Sequence, residues 1–307
     1  MADLYVDPEM AAIADAMANS PMPSIQDGDI AQMRALLSSL SPRGGEEMAS
    51  VTDMRVSGVP VREYLAGSAV EGTIILFHGG GWVLGCVEDY DYFARTLAWK
   101  TRCRILSVDY RLAPEHRFPS AVEDAWSVVS SVAVDHPLFV LGDSAGGNLA
   151  AVTAQMMRDW GTRKLAGQIL IYPSVAGDVD SEAMHAFEPP MMPISDIVAF
   201  YDLYIPDRDS RRDVRFAPFL GRLDGLAPAL VIAAGADLFA NEARQYADAL
   251  ADAGVRVTLH EQEGALHAFL TLFPQTSAAQ RTLDVICEFI SKQIDETTIP
   301  ALMGDKE

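Results

Sequence analysis

From residue 73 onward, short apolar segments rich in β-branched residues alternate with longer segments that have helical spacing. This alternation is typical of a mostly parallel sheet with helices on both faces. The apolar segments are nearly continuous, which predicts strands that are buried on both faces. The sequence therefore predicts an α/β fold, with strands at residues 73–77, 104–108, 137–141, 167–172, 228–234 and 255–261.

Segments on either side complete the predicted core. Residues 51–57 and 60–65 flank Gly58 and predict an antiparallel pair at the edge of the sheet. Two apolar stripes with helical spacing, one after residue 145 and one near the C-terminus, predict helices that pack on the sheet. A chain of 307 residues is long enough for one such core and an accessory region.

Two regions do not follow the strand and helix alternation. Residues 1–40 carry two amphipathic patterns and end at a breaker sequence, and residues 176–219 hold five prolines around a predicted helix with Ser195 as its N-cap. We expect the two regions to pack together as a helical cap. The predicted division is 1–45 and 176–219 for the cap, and 46–175 and 220–307 for the catalytic core.

The charge and the cysteines limit the partners of the chain. With 23 basic and 43 acidic residues the net charge is −20, so phosphate backbones and anionic membrane surfaces repel it, and we expect no nucleic-acid partner. The sequence has no basic leader and no apolar run of membrane-spanning length, so we expect neither secretion nor membrane insertion. Cys86, Cys103 and Cys287 form no metal-ligand or disulfide pattern, which favours a metal-free, cytoplasmic protein.

The sequence Gly142-Asp143-Ser144-Ala145-Gly146 joins the predicted strand 137–141 to a helical pattern. A G-x-S-x-G sequence between a strand and a helix is typical of a nucleophile elbow, a tight turn that raises the serine hydroxyl above the sheet. Larger side chains at the two glycines would collide with neighbouring backbone. The pattern therefore predicts Ser144 as a nucleophile.

A glycine-rich loop, His78-Gly79-Gly80-Gly81-Trp82, directly follows the predicted strand 73–77. Acyl transfer passes through a tetrahedral oxyanion, which fixed backbone N–H groups stabilise by about 2.7–4 kcal/mol per donor. A phosphate-binding loop would need the G-x-x-x-x-G-K-[ST] pattern, which is absent. The loop therefore predicts an oxyanion hole.

A serine hydroxyl needs a base to accept its proton, and imidazole titrates in a suitable range. Of the six histidines, His267 lies after the last predicted strand and before the last predicted helix, where this topology places the base. The orienting acid is expected after the penultimate strand, which favours Asp237. Glu242 is the alternative, although its place in a predicted helix favours a role near the helix N-terminus.

Taken together, these motifs resemble the hormone-sensitive-lipase-like family of microbial esterases, in the branch that carries GDSAG. The resemblance rests on HGGGW, the segment Asp109–Pro119 (DYRLAPEHRFP) and GDSAGG, in that order, and covers residues 50–295. It implies an α/β-hydrolase fold with a helical cap. It also implies hydrolysis of short- to medium-chain carboxylic esters through an acyl-enzyme, without metal or organic cofactor.

The resemblance assigns the site residues position by position. It implies Ser144, Asp237 and His267 as the catalytic residues, and the N–H groups of Gly80, Gly81 and Ala145 as the oxyanion donors. The residues alone leave open which of Gly79, Gly80 and Gly81 donate.

Two motifs depart from the family pattern. The chain has Asp237-Leu238-Phe239-Ala240-Asn241-Glu242 in place of Asp-Pro-Leu-x-Asp-Glu, and His267-Ala268-Phe269 in place of His-Gly-Phe. Both departures keep the catalytic side chain, so they concern loop geometry and pocket shape rather than the reaction.

Other functions share these motifs. A lactone hydrolase, an amidase or a peptidase would use the same triad. A ligand receptor of this fold would lack a working catalytic histidine, and the presence of His267 argues against that function. Met191 and Met192 are predicted either to line the substrate pocket or to pack within the cap. Similar esterases are often homodimers, so a dimer is a further expectation.

Overall fold

The structure, a computed structural model, describes residues 4–19, 25–26 and 28–303. Within these residues eight strands form one sheet in the order β1-β2-β4-β3-β5-β6-β7-β8. β1 and β2 are antiparallel to each other, β2 is antiparallel to β4, and all the other neighbours are parallel. The strands are β1 (Ser50–Val56), β2 (Val59–Leu65), β3 (Thr73–Phe77), β4 (Arg104–Val108), β5 (Leu138–Asp143), β6 (Gly167–Ile171), β7 (Ala229–Ala234) and β8 (Val257–Gln262).

Helices cover both faces of the sheet, as predicted. One face packs against α3 and α9 through side chains such as Leu97 and Ile290, and the other against α4, α5 and α7 through side chains such as Leu149 and Tyr246. The helices are α1 (Pro8–Ala18), α2 (Ile30–Leu40), α3 (Asp91–Thr101), α4 (Ser120–Ser131), α5 (Ala145–Trp160), α6 (Ile194–Tyr204), α7 (Ala240–Asp252), α8 (Phe269–Leu272) and α9 (Ser277–Met303). The predicted α/β fold is therefore confirmed.

The strands differ in burial according to their place in the sheet. Every residue of β3, β5, β6 and β7 is buried, as the continuous apolar segments predict. The same prediction is wrong for β8, in which Thr258, Leu259 and Glu261 are exposed. β8 is the last strand of the sheet and pairs only with β7. An edge strand has fewer neighbours to cover its side chains, which explains their exposure.

An aromatic cluster attaches residues 176–219 to the glycine-rich loop. Trp82 of that loop stacks on Tyr204 with ring centroids 4.9 Å apart, and Phe216 lies 5.3 Å from the same indole ring. Tyr204 ends α6, which begins at Ile194 after Pro193, so the prediction of Ser195 as its N-cap is wrong. The helix begins two residues earlier than Ser195 as N-cap would place it, with Pro193 and its fixed φ at the N-cap position.

The N-terminal helices contact the core through both apolar and polar groups, since Met10 of α1 and Met33 of α2 are buried in its hydrophobic clusters. The Arg34 guanidinium of α2 forms a bidentate ion pair with Glu115, with both N–O distances at 2.8 Å. The same side chain donates to the carbonyl oxygens of Val83 and Ala113. In the part of the chain that the structure covers, no helix has both the length and the apolarity of a bilayer span.

Candidate active site

Ser144 occupies a strained turn between β5 and α5. Its backbone has φ +54° and ψ −118°, a conformation that residues with a side chain rarely adopt. A Cβ atom at Gly142 would lie 2.2 Å from the Gly146 carbonyl oxygen, and one at Gly146 would lie 2.0 Å from the Phe77 carbonyl oxygen. Only glycine therefore fits on either side of the serine, and the predicted elbow is present.

The side chains of Ser144, His267 and Asp237 form a hydrogen-bonded chain. His267 Nε2 lies 2.9 Å from Ser144 Oγ, and His267 Nδ1 lies 2.6 Å from Asp237 Oδ2. All three side chains are buried. When Nδ1–H donates to the carboxylate, Nε2 carries a lone pair that accepts the serine proton.

Each of the three hydrogen-bonded residues follows the carboxyl end of a strand. Ser144 follows β5, Asp237 follows β7, and His267 lies in the loop between β8 and α8. Because these strands are parallel, their carboxyl ends meet at one edge of the sheet. The sheet topology therefore brings together the three residues that the sequence predicted.

Glu242 is buried close to this chain, yet its contacts differ from those of Asp237. Its carboxylate accepts hydrogen bonds from the backbone N–H groups of Val175 and Ala176, the latter at 2.6 Å. The structure places Asp237, not Glu242, against His267. Burial raises the pKa of the Glu242 carboxyl from its ordinary 4.5 to about 7.

This raised pKa predicts a pH-dependent effect of Glu242→Gln on stability. Between about pH 4.5 and 7 the Glu242 carboxyl of the folded protein holds a proton that the unfolded chain has lost. The contribution of this group to the free energy of unfolding is therefore fully present below pH 4.5 and is lost as the pH rises through 7. Glutamine stays neutral and keeps an acceptor oxygen. We expect Glu242→Gln to raise the free energy of unfolding at pH 8 by up to about 3 kcal/mol, and to change it little at pH 4.

Urea unfolding at both pH values measures this effect. Glu188→Gln is the control, because it makes the same substitution at an exposed carboxylate. A gain of equal size at both pH values, or a loss at pH 8, would contradict the prediction.

The three glycines of the glycine-rich loop differ in whether their N–H groups have a hydrogen-bond acceptor. Gly79 N–H donates to the Tyr90 hydroxyl at 2.8 Å and is therefore engaged. Among the described residues, the N–H groups of Gly80 and Gly81 have no hydrogen-bond acceptor. Ala145 is the first residue of α5, where an N–H has no acceptor within the helix.

Comparison with known proteins places the chain in a family. Residues 74–271, more than half of the chain, match a family model described as the alpha/beta hydrolase fold. The chain belongs to this α/β-hydrolase family. It is 36% identical over 265 residues to the carboxylic ester hydrolase LipN of Mycobacterium tuberculosis, an alignment that covers 79% of this chain and 70% of LipN.

Two further comparisons agree. Esterase LipI of Mycobacterium tuberculosis is 34% identical, over 86% of this chain and 88% of LipI. A solved structure of an esterase from Pyrobaculum calidifontis superposes with a TM-score of 0.85 and 29% identity, over 94% of this chain and 100% of that chain. These relatives confirm the resemblance to the hormone-sensitive-lipase-like esterases and the predicted enzyme class, a carboxylic-ester hydrolase.

In this α/β-hydrolase the hydrogen-bonded chain opens into a cavity of about 380 Å³. Met191 and Met192 both line the cavity, which is one of the two roles predicted for them. The other lining residues include Met17, Ile25, Met33, Leu37, Leu84, Pro190, Phe200 and Leu272, together with Ser144, His267, Gly80 and Gly81. A larger groove of about 780 Å³ lies beside Asp237 and Glu242 and reaches neither Ser144 nor His267.

Two residues of this α/β-hydrolase site were missed by sequence reasoning. The Tyr90 hydroxyl donates to Asp143 Oδ2 at 3.0 Å, so one tyrosine connects the glycine-rich loop to the residue that precedes Ser144. Burial raises the pKa of the Asp143 carboxyl to about 6, although the hydrogen bond from Tyr90 opposes this shift. The GDSAG pattern marks Asp143 by position, whereas nothing in the sequence pattern marks Tyr90.

Within the described residues, no group of three or more His, Cys, Asp or Glu side chains is arranged to hold a metal ion.

Proposed function

We propose that the chain is a serine carboxylesterase with Ser144 as nucleophile, His267 as general base and Asp237 as orienting acid. The hydrogen-bonded chain from Ser144 Oγ through His267 to Asp237 carries this proposal. The esterase relatives favour it over the amidase, peptidase and receptor alternatives.

The reaction has two half-reactions. Ser144 Oγ attacks the ester carbonyl carbon while its proton passes to His267 Nε2. The tetrahedral intermediate collapses as His267 gives that proton to the departing alkoxide, which leaves as the alcohol. Water then attacks the acyl carbon while it gives a proton to His267. The second tetrahedral intermediate collapses as the bond to Ser144 Oγ breaks and His267 returns the proton to Oγ, which releases the carboxylic acid. Asp237 holds the imidazole tautomer and stabilises the imidazolium formed in each half-reaction.

The N–H groups of Gly80, Gly81 and Ala145 are the proposed oxyanion donors. Support comes from the hydrogen bonds of the loop, since Gly79 N–H is already committed to Tyr90. Donors fixed before the substrate arrives need no rearrangement when the oxyanion forms.

We also propose the cap predicted from the sequence, with residues 1–45 and 176–219 over a core made of 46–175 and 220–307. The cavity supports this division, because its lining combines side chains from both cap segments with Ser144 and His267 from the core. Residues 1–3, 20–24, 27 and 304–307 of these segments lie outside the described residues.

A cytoplasmic location and a homodimer are the remaining parts of the proposal. Cys86, Cys103 and Cys287 are free thiols, which suits a reducing compartment. β8 lies at the edge of the sheet with exposed side chains, and an edge strand offers backbone groups for pairing with a second copy. Light scattering coupled to size exclusion gives the mass that tests the dimer.

Labelling with a serine-directed phosphonate ester tests the catalytic proposal. We expect stoichiometric loss of activity, with the adduct on Ser144 by peptide mass spectrometry, because only this serine donates to an imidazole in the described site. Exhaustive treatment with a chelator is expected to leave activity unchanged. An adduct on another serine, or inactivation by the chelator, would refute the proposed mechanism.

A further inference from the structure

Two cavities of very different size meet at Ser144. Beside the cavity of about 380 Å³ lies a recess of about 20 Å³. Both are lined by Gly81, Ser144, Met192 and Phe200. Ser144 and Gly81 must contact the two atoms of the ester carbonyl, so the carbonyl group lies at the junction of the two cavities.

The sizes of the cavities restrict what each can hold. A single water molecule needs about 10–15 Å³ measured in this way, so the recess holds about one methyl-sized group. The larger cavity lies within the range of about 300–1,000 Å³ that is usual for small-molecule sites. One substituent of the ester group is therefore limited to about the size of a methyl group, whereas the other has room to be large.

The walls of the recess are closely packed and resist expansion. Trp82, Tyr201 and Phe239 are each at most 3% exposed. The Tyr201 hydroxyl lies 2.6 Å from Ser174 Oγ, and Trp82 is stacked within the aromatic cluster. A longer substituent in the recess would force these side chains out of their preferred positions.

Phe200 of α6 separates the two cavities. It lines both of them, and its ring lies so close to Gly81 that a Cβ atom there would come within 2.4 Å of it. Met192, the other cap residue common to both, is a flexible side chain. Phe200 and Met192 form the partition between the two cavities, and Phe200 is its rigid part.

The chemistry of the leaving group fixes the orientation of the ester. In the mechanism proposed above, His267 gives its proton to the alcohol oxygen, so the alcohol side of the ester lies next to His267. His267 lines only the large cavity, together with Ala268, Thr271 and Leu272. Ala145, a proposed oxyanion donor, lines only the recess. The alcohol therefore occupies the large cavity and the acyl substituent occupies the recess.

We propose that this enzyme is selective for esters of very short acids, acetate above all, with larger apolar alcohols. The inference rests on the proposed function and narrows it, since the family resemblance implies short to medium acyl chains. It assigns to Phe200 the role of limiting the acyl substituent.

A pair of isomeric esters tests the proposal directly. Hexyl acetate and ethyl hexanoate have the same formula and similar apolar surface, but they place the long chain on opposite sides of the carbonyl group. We expect kcat/KM to be roughly tenfold or more higher for hexyl acetate, the size of effect that overpacking a closely packed site produces. Equal values, or faster hydrolysis of ethyl hexanoate, would overturn the proposal.

The outcome also separates this proposal from the one on which it rests. If neither isomer is hydrolysed and the phosphonate does not label Ser144, the proposed esterase function fails. If labelling succeeds and ethyl hexanoate is the better substrate, the esterase function stands and the acyl restriction is wrong.

Variants of the partition give a second readout. Phe200→Ala is expected to join the cavities and to reduce the ratio of the two kcat/KM values roughly tenfold, because the hexanoyl chain gains room. Both esters have the same carbonyl group, so a general loss of activity cancels in the ratio. Leu272→Ala, which alters only the large cavity, is the control and should keep the preference for acetate. Phe200→Leu is the substitute if the alanine variant does not fold, and an unchanged ratio in both Phe200 variants would contradict the role of this residue.

Discussion

Ser144→Ala is expected to abolish ester hydrolysis without loss of the fold. Removal of the nucleophile of another serine hydrolase lowers kcat by about 10⁶, and we expect a loss of that order here. Alanine removes the hydroxyl that lies 2.9 Å from His267 Nε2 and creates only a very small gap. Single-turnover acylation with an aryl ester and circular dichroism, measured on the same preparation, test both parts of the prediction.

The matched control is Ser174→Ala, a second buried serine at the site. Its hydroxyl bonds to the Tyr201 hydroxyl and has no contact with the imidazole of His267. We expect this variant to form the acyl-enzyme. Acylation of a folded Ser144→Ala protein would show that the nucleophile lies elsewhere.

Asp237→Asn is expected to lower kcat by about 10⁴, the loss that the equivalent change causes in another serine triad. The asparagine keeps the size of the side chain but removes the charge that stabilises the imidazolium. Its amide also disturbs the tautomer that the 2.6 Å bond to His267 Nδ1 maintains. Steady-state kinetics with a soluble acetate ester measures the effect.

Glu242→Gln is the control for the acid, since Glu242 is another buried carboxylate near the site. Its hydrogen bonds go to the backbone of Val175 and Ala176, so we expect activity close to that of the parent at neutral pH. A near-normal Asp237→Asn enzyme together with a slow Glu242→Gln enzyme would transfer the role of orienting acid to Glu242.

Local patterns in the sequence carry most of the fold and the positions of the three site residues. The apolar segments locate the strands because a strand buried on both faces must be apolar along its length. Ser144, Asp237 and His267 follow from chain order, since each comes after a strand of the same parallel sheet. These features depend on neighbours in sequence or on a topology with few alternatives.

Other features depend on packing between distant segments, which no local pattern records. The exposure of β8 follows from its place at the end of the sheet. The contact between Tyr90 and Asp143 joins residues that are far apart in sequence. The small volume of the recess depends on side chains from the core and from residues 176–219 together, among them Trp82 and Tyr201.

The aromatic cluster has a consequence for protein engineering. Trp82 belongs to the glycine-rich loop, whereas Tyr204 and Phe216 belong to residues 176–219, and their rings pack against one another. In a chimera that takes residues 176–219 from another esterase, Trp82 packs against different side chains. Because Trp82 adjoins Gly81, the packing that holds the Gly81 backbone in place also changes. Transplanting the region to alter selectivity therefore requires the matching residue at position 82. In this enzyme the glycine-rich loop and residues 176–219 therefore have to be exchanged together.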